Sequence, residues 1–320
     1  MQNTTKCAII GCGFVGAACA YSLTHSGVFS EIVMIDKNKS KAEGEAMDIA
    51  DALPFTSAAK IYCGELCDVR DAAVIIIAAG YNQKSDETRL DLVKKNTEIL
   101  KEIVGEIVKY NTDCILLVVT NPVDILTYVT LKLSGFPASR VIGSGTVLDT
   151  ARLKQEIGDH LSVDPRNVHT FVIGEHGDSE LAVFSSANIS GIDLSSFCRV
   201  CDCCDSMQKI YGLFENVRDS AYKIIDAKGA TSYGIAEAVS RICTAIMRNE
   251  NAILPVSVYL DGQYGLDGLC LGIPSVVGRD GVKQIFEIPL DKYESECLEN
   301  SADVISKTIS ELQIEELPVL

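Results

Sequence analysis

The chain has 320 residues, 47% hydrophobic and 22% charged, and its 28 Lys and Arg against 44 Asp and Glu leave a formal charge of −16. These numbers fit a globular protein with one large core or two modest ones, and they argue against nucleic acid and anionic membrane surfaces, which both need a basic face. No apolar run approaches the roughly 20 residues of a membrane span, and the opening "MQNTTKCAIIGCG" reaches a glycine turn too early for a signal peptide, so a cytoplasmic protein is expected.

In chain order, short β-rich runs alternate with amphipathic stretches. "CAIIG" precedes a helix over 14–26, and "EIVMID" a helix over 40–52. "KIYCG" and "AAVIIIAAG" precede a long helix over 90–110. "DCILLVVTNP" leads into "VDILTYVTLKLSG", whose glycine fits a helix stop. These strands are continuously apolar rather than alternating, as in a parallel sheet covered on both faces. After "RVIGSG" the pattern changes. A helix over 146–161 is followed by strand-like "VHTFVIG" and "LAVFSSANI", helices over 206–227 and 235–249, strands "AILPVSVYL" and "LCLGIPSVVG", and a charged helix from about 291. A second, mixed unit is expected from residue 144.

"GCGFVG" sets Gly11, Gly13 and Gly16 directly after a strand and at the start of a helix. Glycines at this spacing allow a tight turn and close approach of a pyrophosphate to the helix N-terminus. Asp36 ends the next strand, where a carboxylate binds ribose hydroxyls and repels a 2′-phosphate, so NAD is the expected cofactor. The fold class that follows is α/β: a Rossmann-type doubly wound parallel sheet over 1–143, then a mixed α+β substrate domain over 144–320. Thirteen cysteines are many. Cys198, Cys201, Cys203 and Cys204 cluster in "CRVCDCCD", but no His or second spaced pair lies near in sequence, so free thiols are expected rather than a metal site.

His25 and His160 fall near helix ends and His169 at a strand start, whereas His176 stands in the glycine-flanked break "IGEHGDSE". Asp149 and Arg152 are three apart on one helix face. The Asp could hold an imidazole in one tautomer, and the Arg could grip a carboxylate through two bonds; a plain surface ion pair is the other reading of that spacing. The loop "GYNQKSDETRLDL" hangs Gln83, Lys84, Asp86, Glu87 and Arg89 from the end of the most apolar strand.

"GCGFVG", "GYNQKSDETRLDL", "TNPVDIL", "GSGTVLDTARL", "IGEHGDSE" and "KGATSYGIA" run from residue 11 to 236 in the order found in the L-lactate/malate dehydrogenase family, which the sequence resembles over most of its length. The resemblance implies reversible hydride transfer between NADH and a 2-oxo acid. It implies His176 as acid/base group, Asp149 as its partner, Arg152 as carboxylate clamp, and Arg89 as the residue that polarises the carbonyl when the polar loop closes as a lid. It implies substrate contacts at Gln83, Asn121, Asp124 and Thr231. Cofactor contacts are implied at Gly11, Gly13, Val15, Gly16, Asp36, Lys41, Gly80, Val119, Asn121 and Ser144. No metal is implied.

In that family, enzymes of the malate type commonly hold Arg where this chain has Gln83. A neutral amide cannot pair a second carboxylate once water is excluded, so pyruvate and L-lactate are the expected substrates, with malate or bulkier 2-hydroxy acids as the rival reading. Ser85-Asp86 replaces a common Pro-Gly, and Ser232 a common Tyr. Relatives activated by fructose 1,6-bisphosphate use Arg and His where Lys154 and His169 stand. Lysine meets phosphate without the bidentate fork, so any activation is expected at weakened affinity. A homotetramer is implied. An NAD-dependent glycosidase and a catalytically silent NAD-binding protein are the readings from other classes; the first needs a Cys–His metal site, the second leaves Arg89, Asp149, Arg152 and His176 unexplained.

Overall fold

The computed structural model describes residues 3–81, 88–201, 207–313 and 319. Gln83, Lys84, Ser85, Asp86 and Glu87, the Arg89 side chain, and Cys203 and Cys204 lie outside the described residues.

The first half alternates β1 (Asn3–Ile10), α1 (Phe14–Ser26), β2 (Glu31–Ile35), α2 (Lys39–Asp51), β3 (Lys60–Cys63), β4 (Ala72–Ile77), α3 (Arg89–Tyr110), β5 (Ile115–Val118), α4 (Val123–Ser134) and β6 (Val141–Gly143). Its strands are parallel, in the order β3-β2-β1-β4-β5-β6. Successive residues of a strand face opposite sides. Every residue of β5 and nearly every one of β4 is buried, so both faces of the sheet are covered. The helices stop where glycine can turn left-handed: Gly27 and Gly135 donate back to the Leu23 and Leu131 carbonyls. A Thr88–Asp91 capping box starts α3 at Arg89.

The second half holds α5 (Val147–Leu161), β7 (Val168–His169), β8 (Val172–Ile173), β9 (Leu181–Ala182), β10 (Asn188–Ile189), β11 (Ile192–Asp193), α6 (Leu194–Val200), α7 (Met207–Lys228), α8 (Tyr233–Met247), β12 (Ala252–Asp261), β13 (Asp267–Gly278), β14 (Gly281–Ile285) and α9 (Lys292–Glu311). The runs "VHTFVIG" and "LAVFSSANI" do not form single strands. Buried Thr170 interrupts the first and bonds the Val183 carbonyl, so β7 joins β10 while β8 joins β9 in another sheet. Strands β12 to β14 form an antiparallel meander. Through the Ser257–Gly143 pair, β12 joins β6, and one nine-stranded sheet passes through both halves of the chain. A smaller core of Leu153, Ile157, Val172, Ile210 and Val217 lies between α5 and α7.

Candidate active site

Strand order reverses between β1 and β4, where sheets of this kind open a ligand crevice at their carboxyl ends. Gly11 leaves β1 there with φ 100°, and a Cβ on it would sit 2.5 Å from the Ala79 nitrogen. A Cβ on Gly16 would run into the Gly11 carbonyl. Gly13 caps α1 without any side-chain bond to the first turn, and a Cβ on it would meet nothing within 4 Å. The helix therefore offers unfilled amide donors and its positive dipole end to open space, which is the backbone chemistry a pyrophosphate needs. The Asp36 carboxylate accepts from the amides of Cys12 (2.7 Å) and Asn38 (2.8 Å), which fixes it beside the glycine turn. These residues fit a dinucleotide.

Along the same edge, Gly80, Val119 and Ser144 follow β4, β5 and β6 in turn. Val119 and Ser144 are buried, and their amides donate to the Ile77 and Val118 carbonyls. Val15 is half-buried in the first turn of α1, and Lys41 is exposed in the first turn of α2.

The loop bearing His176 is pinned from several elements. Gly174, at φ 91°, exchanges two backbone bonds with Gly272 of β13. The Glu175 amide donates to Ser301 Oγ on α9 at 2.7 Å. The His176 amide donates to Asp124 Oδ2 at 2.7 Å, and Asp124 Oδ1 accepts from Ser257 Oγ on β12 at 2.6 Å. Since Asp124 opens α4 just beyond β5, this bond draws the loop to the carboxyl edge of the parallel sheet, beside the crevice.

His176 Nδ1 lies 2.6 Å from Asp149 Oδ2, and Asp149 Oδ1 accepts from Arg152 Nη1 at 2.9 Å. A carboxylate only accepts, so Nδ1 carries hydrogen, which leaves Nε2 as the ring nitrogen not engaged by Asp149. Asp149 is 2% exposed, Arg152 14% and His176 22%. Burial alone would lower the imidazole's pKa, but the Asp149 carboxylate overrides it, with smaller pushes from Glu180 and Asp124, and raises it to about 9. Burial works the other way on Asp149, yet His176 and Arg152 hold it below the usual carboxylate range. The pair therefore holds a proton at neutral pH that it can give to a bound oxygen.

The other expected residues divide. Asn121 is exposed at the start of the α4 segment, with its carbonyl accepting from Asn96 Nδ2 at 2.9 Å. Thr231 is half-buried between α7 and α8. Asp124 is 1% exposed, and its carboxylate accepts from the His176 amide and from Ser257 Oγ, so it sets the loop's position. Lys154 is half-buried on α5, with burial pulling its ammonium below the usual value, and His169 is exposed on β7. Cys198 and Cys201 are half-buried thiols outside any disulfide. Three residues escaped the sequence reading. Fully buried Asn96 ties α3 to Tyr81 and Asn121. Ser257 anchors Asp124. Buried Glu180 brings a carboxyl oxygen within 4.8 Å of an Asp149 carboxylate oxygen and a His176 ring nitrogen. Arg152 already neutralises Asp149, which makes this a poor cradle for a cation.

A glycine-cradled dinucleotide crevice with a histidine–aspartate proton donor at its edge defines a nicotinamide-dependent oxidoreductase. Comparison with known proteins names the family. The lactate/malate dehydrogenase NAD-binding domain matches residues 5–143, and the lactate/malate dehydrogenase alpha/beta C-terminal domain matches residues 146–316. An L-lactate dehydrogenase of Acetivibrio thermocellus is 52% identical over 97% of this chain and 98% of its own length. L-lactate dehydrogenase 1 of Clostridium acetobutylicum is 49% identical over 98% of this chain and all of its own. The crystal structure of a lactate dehydrogenase from a Medee basin deep-sea metagenome superposes with TM-score 0.95 at 43% identity, covering 98% of this chain and 100% of that one. The minor L-lactate dehydrogenase of Enterococcus mundtii gives 0.93 at 42%, covering 97% and 99%. The chain belongs to the lactate/malate dehydrogenase family, and it is an NAD-dependent oxidoreductase.

Proposed function

We propose that this protein is an L-lactate dehydrogenase, reducing pyruvate to L-lactate and running the reverse reaction. The observation that carries the reading is the 2.6 Å contact between His176 Nδ1 and Asp149; the names of its relatives agree with it.

Bound NADH supplies the hydride that arrives at the substrate's C2. His176 holds the proton at Nε2 and passes it to the C2 oxygen, while Asp149 stabilises the imidazolium and keeps the ring's orientation. Arg152 spends one Nη1 bond on Asp149, and its remaining N–H groups suffice to grip the substrate carboxylate. Arg89 opens α3, and its guanidinium is the group that stabilises the negative charge growing on the carbonyl oxygen. Asn121 contacts substrate and cofactor, and Thr231 lines the pocket for the substrate's side chain. Gln83, a neutral amide, selects the methyl group of pyruvate over a second carboxylate.

Loss of NADH absorbance on adding pyruvate, oxaloacetate and longer 2-oxo acids tests this directly. A wild-type preference for oxaloacetate would sink the assignment. Gln83→Arg is expected to swing the oxaloacetate-to-pyruvate preference by about 10–100-fold, the worth of one charge-assisted bond.

The protein works in the cytoplasm as a homotetramer. Phe14, Tyr21, Met47 and Tyr233 expose large side chains on α1, α2 and α8, helices that pack on one another, and this supports a subunit face there. Lys154 and His169 receive fructose 1,6-bisphosphate weakly. Light scattering checks the first statement, and assays with and without the bisphosphate check the second.

A further inference from the structure

Glu180 lies in none of the roles above, yet it is 6% exposed and its carboxyl shares a 4.8 Å sphere with Asp149 and His176. The turn that places it is local. The Glu180 amide donates to the Gly177 carbonyl at 3.1 Å, which folds "HGDSE" back so that residues 176 and 180 face the same side.

Among the described residues, the neighbouring acids Asp124, Asp178 and Glu175 have partners elsewhere. Asp124, on α4, bonds the His176 amide and Ser257; Asp178 accepts from Tyr222 on α7; Glu175 is bonded by Ser179. Asp149 and Arg152, on α5, are the charged groups that face Glu180 together with His176. Of these, Asp149 and Asp124 already balance the protonated His176 and Arg152. A third carboxylate charge would stand unpaired in a buried place, close to Asp149, and would repel the carboxylate of an incoming 2-oxo acid.

We infer that Glu180 is a positioning residue held as a neutral carboxylic acid, its O–H donating to the Asp149 carboxylate and so completing the cage of donors that keeps Asp149 on His176. Asp149 then accepts from three side chains, the imidazole, the guanidinium and the Glu180 acid. Burial first, and the Asp149 charge second, push Glu180 up to about 9, which agrees with a neutral acid at physiological pH. The arrangement keeps the site free of excess negative charge while the substrate binds. This deepens the reading of His176 as proton donor and rests on it.

Two variants and one spectrum test the inference. Glu180→Gln keeps a neutral donor, so kcat/KM for pyruvate at pH 6–7 is expected to stay within about threefold of wild type, whereas Glu180→Ala, which strips a bond to a charged acceptor, is expected to lose about tenfold or more. Because an amide never ionises, the alkaline limb of the Glu180→Gln profile is expected to move to lower pH by roughly half a unit. Infrared spectra of the wild type at neutral pH are expected to contain a protonated-carboxyl stretch that Glu180→Gln removes. A tenfold loss in Glu180→Gln at pH 6–7, a profile that superimposes on wild type, or absence of that band overturns the inference. Failure of the wild type to reduce any 2-oxo acid would instead strike the functional reading, since the infrared band does not depend on turnover.

Discussion

The two ends of this site are built by opposite means. The cofactor end is almost entirely backbone: amides of the α1 N-terminus, glycines that let chains approach, and one carboxylate, Asp36, held by two further amides. The catalytic end is almost entirely side chain, a set of buried charges from α4, α5 and the 174–180 loop, braced by hydroxyls on β12 and α9. Backbone groups keep fixed partial charges at any ordinary pH, which suits a cofactor that must dock under all conditions. Side-chain charges can exchange a proton, which suits the chemistry, but they must be paired to stay buried.

That contrast can be broken experimentally, starting where the effect is largest. His176→Ala is expected to cut turnover by about 10²–10⁴-fold while leaving NADH binding intact; stopped-flow turnover with a parallel NADH fluorescence titration would show whether the two ends separate. Next comes pH. With the imidazole raised to about 9, its protonated form dominates below that value and is lost above it. Pyruvate reduction should therefore hold through neutrality and fall by about tenfold per unit beyond that limb, whereas lactate oxidation, which needs the neutral ring, should rise over the same range. NADH affinity measured across these pH values should stay flat; if it follows the imidazole, the separation between the ends fails.

From the other end, Gly16→Ala forces a methyl against the Gly11 carbonyl. Overpacking of this kind costs about 1–3 kcal/mol, so NADH affinity should drop by about tenfold with His176 chemistry unchanged at saturating cofactor. The smallest effect is expected from Ser257→Ala. Asp124 loses one of its hydrogen bonds, and kcat/KM should fall by about three- to tenfold, with no change in NADH binding.

How much of this was legible along the chain follows the same division. Helix 14–26 could be read from the glycine turn that opens it, and it forms over those residues. Gly135 ends α4 as its position suggested. The glycine-flanked break around His176 and the three-residue spacing of Asp149 and Arg152 were visible too, because each is local. The bond between Asp124 and Ser257 could not be read, since the two lie 133 positions apart and nothing in "TNPVDIL" reveals it. Glu180 was overlooked because a Glu after "HGDS" looks like any solvated loop acid until the turn at Gly177 folds it inward. The strand-like run "VHTFVIG" misled for the same reason: strand propensity does not say that Thr170 will divide the run between two sheets.

What the sequence determined alone was whatever depends on neighbours in the chain: the parallel apolar strands, the glycine turn with its following carboxylate, the helix limits, and the residue types able to move a proton. The tertiary structure decided which charges face which. Those pairings rest on contacts between residues far apart in the chain, where burial strengthens each interaction and penalises every charge left without a partner. Only the packed molecule sets that balance.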